Sequence, residues 1–128
     1  LACDESGFSR TLESMVASIP PELHIANEHY YHSIMLMWMK IIGFEIQAET
    51  SNNLGRADIV WKQQGVTVVA EIKYHAKTKI KSQLKEAMKQ IYDRRYYNKY
   101  TGKVILLGIA FLGKNVGCKL EELKFKKN

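Results

Sequence analysis

The chain has 128 residues, 46% of them hydrophobic, and a formal charge of +6. That length suits one domain with a single buried core and argues against two. The positive balance favours a polyanionic partner without speaking to the fold. The two cysteines, Cys3 and Cys118, stand far apart with no Cys/His cluster, which argues against a zinc site and fits a reduced, cytoplasmic setting. No apolar run is long enough to span a membrane, and the longest, within Ile34–Ile42, is broken by Lys40. There is no signal-peptide pattern and no initial Met, so the chain reads as a domain cut from something longer.

Residues 8–18 place Phe8, Leu12, Met15 and Val16 at helical spacing, and Pro20-Pro21 stops that helix. A second helix is predicted from near Glu22 or Asn27 to Ile42, with Asn27 as a plausible N-cap and Gly43 as its C-terminal glycine. Its stretch Tyr30–Ile42 is apolar on most sides and should be largely buried. The period then changes to two over Phe44–Glu49, as in a half-buried strand. Ser51–Gly55 reads as a turn, Arg56–Lys62 as a second strand, and Gln63-Gln64-Gly65 as another turn. Val66–Lys73 is a third strand, supported by β-branched Val66, Thr67, Val68 and Val69. A long helix follows over Ile80–Tyr97, with Ile80, Leu84, Ala87, Met88 and Ile91 as its apolar stripe. Val104–Leu112 is a very apolar, central strand, and Gly113-Lys114-Asn115 turns into a last strand near Lys119–Lys124. The order is α-α-β-β-β-α-β-β, with no repeats.

Two acids and a lysine fall inside these apolar strands: Asp58 in the second, Glu71 and Lys73 in the third. Glu71 and Lys73 are two apart and share a strand face. If Gln64-Gly65 is a two-residue hairpin loop, the pairs run from 63–66 to 58–71, which sets Asp58 opposite Glu71 with Cβ atoms about 5 Å apart. A slip of one residue would separate them. Facing carboxylates repel and are costly in an apolar setting, so something positive should compensate. Lys73 is one candidate, and a magnesium or manganese ion is a better one, because hard cations take carboxylate oxygens. The same spacing serves equally a salt-bridged Asp/Glu/Lys cluster on a solvated sheet face. Glu28, beside His29, Tyr30, Tyr31 and His32, can add a third acid or simply favour the dipole of its helix. Glu49 is either another acid near the site or an exposed strand residue. Gln83, Gln90, Arg94 and Tyr97 share one flank of the long helix. Tyr92, Tyr96 and Tyr100, interleaved with Arg94, Arg95 and Lys99, can be packing residues or can meet a nucleic-acid backbone.

Taken in order, Gly55-Arg56-x-Asp58, Glu71-x-Lys73 and Gln90-Ile91-x-x-Arg94-x-Tyr96 resemble the PD-(D/E)XK nuclease superfamily. The nearest look-alike is its branch often found at the C-terminus of bacterial AAA-ATPase-like proteins. The resemblance spans roughly residues 22–125, with Glu28-x-Tyr30-Tyr31-His32 before the first core strand and Gly102-Lys103-x-Ile105-x-x-x-Gly108-Ile109-x-Phe111 after the helix. It implies a mixed α/β, restriction-endonuclease-like α-β-β-β-α-β core carrying an extra N-terminal helix and a C-terminal strand. Residues 1–21 would be the tail of a preceding segment and 22–128 the nuclease-like domain. It also implies hydrolysis of nucleic-acid phosphodiesters, of DNA before RNA, with Mg2+ or Mn2+. By position, Asp58 and Glu71 look like metal ligands, Lys73 like the catalytic lysine, and Glu28 like the first-helix acid some members add as a ligand. Gln90, Arg94, Tyr96 and Arg56 would support the site or contact nucleic acid. No proline precedes Asp58, a departure at a position that varies widely in the superfamily. Two other readings stand beside the nuclease: a non-catalytic nucleic-acid-binding module on the same fold, and a regulatory domain that binds an upstream ATPase-like partner, to which a stable homodimer would point.

Overall fold

The structure is a computed structural model and describes residues 5–23, 25, 27–43, 45–47, 59–94 and 100–123. Its centre is a hairpin. Gln64 and Gly65 both take positive φ, 49° and 78°, the combination of a type I′ turn, whose twist matches that of the strands it joins. It links β2 (Ile59–Gln63) to β3 (Val66–Tyr74) in the predicted register, from Gln63 opposite Val66 to Ile59 opposite Ala70. Asp58 comes next in the chain and lies outside the described residues.

Around this hairpin a five-stranded sheet forms in the order β1-β2-β3-β4-β5, with β1 at Glu45–Gln47, β4 at Lys103–Leu112 and β5 at Asn115–Leu123. All neighbours are antiparallel except β3 and β4, which run parallel and are joined across one face by helix α3 (Ile80–Arg94). Helices α1 (Glu5–Ala17) and α2 (Glu28–Ile42), with a 3-10 turn at Pro21–Leu23 between them, pack on the other face. This is the expected mixed α/β arrangement: an α-β-β-β-α-β core with one helix before it and one strand after it. None of the described helices is long and apolar enough to cross a membrane.

Local chemistry sets the ends of α2. The Asn27 side chain accepts a 2.7 Å hydrogen bond from the His29 amide. Gly43, at φ 103°, enters the left-handed region, and its amide returns to the Met39 and Lys40 carbonyls. The last strand departs most from expectation. It begins at Asn115 rather than near Lys119, because Gly113-Lys114 suffices as the turn and Leu112 pairs directly with Asn115. Val116 and Cys118 already alternate inward there, and Gly117 between them has no side chain to mark the opposite face.

The sheet buries both faces. Ile59, Trp61, Val68, Ala70, Ile72, Ile105, Leu107, Ile109 and Phe111 meet Leu12, Val16, Tyr31, Met35 and Met39 beneath α1 and α2. Val60, Val69, Val104 and Leu106 meet Met88 and Ile91 beneath α3. At the β5 edge, α1 lies along the strand. Glu13 Oε2 accepts from the Val116 amide at 3.2 Å, and Glu5 Oε2 accepts from the Leu120 amide at 2.6 Å. Edge amides that would otherwise template another strand are thereby engaged.

Candidate active site

The two-residue period of β3 turns Val68, Ala70 and Ile72 toward α1 and α2, and turns Val69, Glu71 and Lys73 toward α3. Glu71 is 2% exposed and Lys73 8% exposed, so two ionisable groups sit inside the sheet–helix layer. Their neighbours on β4 are small: Gly108 stands beside Glu71, and Ala110 beside Lys73. A Cβ on Gly108 would lie 3.2 Å from Met88 Sδ and 3.3 Å from Ala87 Cβ, so the missing side chain is what lets α3 come this close.

Once α3 is this close, its flank supplies charges to both buried groups. Arg94 Nη1 lies 3.4 Å from Glu71 Oε1. Lys73 Nζ lies 3.8 Å from Glu86 Oε1, and the other oxygen of Glu86 is 3.6 Å from His75 Nε2. A buried ion costs several kcal/mol when unpaired, which is the physical reason for this matching. These two ion pairs both run from β3 to α3. Glu86 went unrecognised in the sequence. The signal for it was its place in the row Gln83, Glu86, Gln90, Arg94, at spacings of three and four along one flank.

Two glutamines complete the flank. Gln83 is fully buried, and its Nε2 donates to the carbonyls of Thr78 at 2.7 Å, Phe111 at 3.2 Å and His75 at 3.5 Å. It fastens the loop after β3 and the end of β4 to the first turn of α3. Gln90 Oε1 is buried with no hydrogen-bond partner among the described residues. On the opposite face, the Tyr31 ring stacks on Tyr74 at 4.9 Å and on Phe111 at 4.5 Å, bringing the first turn of α2 to the end of β3. Burial, with Tyr74 and Tyr30 adding, raises the pKa of the Tyr31 hydroxyl.

Of the residues picked out in the sequence, Glu71, Lys73, Gln90 and Arg94 are therefore carried on one side of the sheet, between β3 and α3. Glu28 is the first residue of α2, the helix on the other side. Asp58, Arg56, Tyr96, Tyr97 and Glu49 lie outside the described residues.

No curated protein matches this chain. A family model does, over residues 26–121, a span that takes in α2, all five strands but the end of β5, and α3. With that match covering most of its length, the chain belongs to the PD-(D/E)XK nuclease superfamily.

Proposed function

We propose that this protein hydrolyses phosphodiester bonds of nucleic acid, DNA in preference to RNA, with a divalent cation held by Asp58 and Glu71. The observation that carries the reading is Glu71 and Lys73 side by side, both buried, on one face of β3 in a chain of a nuclease superfamily. Members of that superfamily generally use divalent metals. The donor chemistry fits: a carboxylate inside the fold, held by a guanidinium, is a hard oxygen donor suited to Mg2+ or Mn2+. Support for Asp58 comes from the register, which runs as far as Ile59 opposite Ala70, and from the sequence, in which Asp58 precedes Ile59 and Glu71 follows Ala70. Glu28, the first residue of the helix on the opposite face of the sheet, is proposed as a further ligand on the resemblance of its motif alone.

When bound, the cation would lower the pKa of a coordinated water and offset charge on the phosphate. The remaining roles fall to the chain. Lys73 places its ammonium where negative charge grows on the phosphate oxygens. Glu86 holds that ammonium in position, and Arg94 fixes the orientation of the Glu71 carboxylate. Gln90 supports the site, while Arg56 and Tyr96 contact the nucleic acid. Plasmid and oligonucleotide cleavage with Mg2+ or Mn2+ tests the reading. Asp58→Ala, Glu71→Ala and Lys73→Ala should each lower the rate about 100-fold or more with the fold intact by circular dichroism. Unchanged cleavage in the Asp58 or Lys73 variant sinks it.

A second reading, a non-catalytic nucleic-acid-binding or regulatory module, draws on the same ion pairs. Arg94 and Glu86 already neutralise Glu71 and Lys73, as a purely structural cluster would require. Salt-sensitive binding with no cleavage would select it. An upstream ATPase-like partner and a homodimer belong to that second reading, and sedimentation of the chain alone and with such a partner decides both.

A further inference from the structure

The far flank of α3 carries a second feature. Lys81, Leu84, Lys85 and Met88 recur at one to four residues along the helix and face Lys119 and Glu121 of β5 across a groove of about 380 Å³. That volume lies within the range of small-ligand sites. Leu84 and Met88 give it an apolar floor, and Lys81, Lys85 and Lys119 are the basic residues that line it. The single acid lining it, Glu121, has Oε2 engaged by the Tyr92 hydroxyl, while Tyr92 remains 39% exposed. Beside the groove α3 packs tightly on β5: a Cβ on Gly117 would lie 2.2 Å from Ile80 Cγ2 and 3.3 Å from Leu84 Cδ1.

A lysine cluster over plain solvated polar surface would suit any polyanion. Here the charges surround an apolar floor and border an exposed aromatic ring. That combination matches a ligand presenting phosphates and flat apolar faces together. Duplex DNA offers the first without the second, because its bases are stacked inside. We propose that this groove binds a single-stranded segment of nucleic acid, with Lys81, Lys85 and Lys119 on phosphates and Leu84, Met88 and the Tyr92 ring against an unstacked base. Glu86, Gln90 and Arg94 project from the opposite flank of α3, so groove and candidate active site are separated by one helix diameter, about 10 Å. A strand seated in the groove reaches the site by crossing α3. The proposal rests on nucleic acid being the partner class, and it does not require cleavage.

The test is fluorescence anisotropy of a labelled oligothymidylate, with EDTA present so that binding is read without turnover. Wild-type protein is compared with K81Q/K85Q/K119Q and with K40Q/K62Q/K114Q, which removes the same charge from exposed positions elsewhere. The groove variant should bind at least about tenfold more weakly, and its log K against log salt slope should fall by about two, at roughly 0.7 per phosphate contact. The control variant should bind as wild type. Wild-type affinity in the groove variant overturns the proposal, and so does an equal loss in both lysine variants. It is also overturned if duplex and single strand weaken alike in the groove variant, since the apolar floor would then have no part. Retained binding without any cleavage in Mg2+ would instead overturn the nuclease reading and leave the groove standing.

Discussion

Cys118 shows how much one side chain's surroundings can set. Its thiol, buried on β5, is pushed up to about 11 by burial; a hydrogen bond with Ser9 works against the shift, and the Glu5 and Glu13 carboxylates add to it. The folded protein therefore keeps this proton at a pH where the unfolded chain, near 9.0, has lost it. Stability from this group is complete below pH 9 and declines as pH rises toward 11, by up to about 3 kcal/mol for a shift of this size. Tyr31, raised in the same direction, adds to the decline above its ordinary value of 10.0. Urea midpoints measured from pH 8 to 11 should fall, and should fall less in Cys118→Ala. An identical alkaline slope in that variant would mean the thiol is not the titrating group. Of the residues at the candidate site, Glu71 and Lys73 were legible from strand parity alone. Glu86 was not, because which α3 residue meets Lys73 depends on how closely the helix lies on the sheet. Gly108 and Ala110, nearly forty residues further along the chain, govern that distance.

Among the elements, the best-read boundaries are those set by neighbouring residues in the chain: the Asn27 cap, the Gly43 stop and the Gln64-Gly65 turn. β5 was read too short because its first residues take their place from Phe111 and Leu112 across the hairpin, and Gly117 conceals the alternation. That same glycine limits what the α3–β5 layer tolerates. Gly117→Ala puts a methyl group 2.2 Å from Ile80 Cγ2, and Ile80 is β-branched, with little rotamer freedom to yield. The substitution should cost about 1–3 kcal/mol by denaturant titration. Paired with Ile80→Ala, it should cost less than the two changes summed. Strict additivity would show that the contact is relieved by backbone movement and not by the side chain.

For the molecule as a whole, the contacts divide by distance along the chain. β3, α3, β4 and β5 follow one another and close onto their neighbours, whereas the bonds from α1 to β5 span 103 and 115 residues. Loop-closure entropy makes such distant contacts late ones. Leu12, 2% exposed in the α1 contribution to the core, should therefore report on unfolding. Leu12→Ala should raise the unfolding rate and leave the folding rate nearly unchanged, a φ-value near zero, and a value near one would place α1 in the nucleus instead. The edge contact made by Glu5 and Glu13 then takes on a meaning in time. α1 emerges from the ribosome ahead of the five described strands, yet the amides it covers belong to β5. During synthesis its glutamates have nothing to hold, and once β5 exists its edge stays open until α1 docks. Self-association through the β5 edge is thus a hazard of that interval, governed by how fast α1 finds β5.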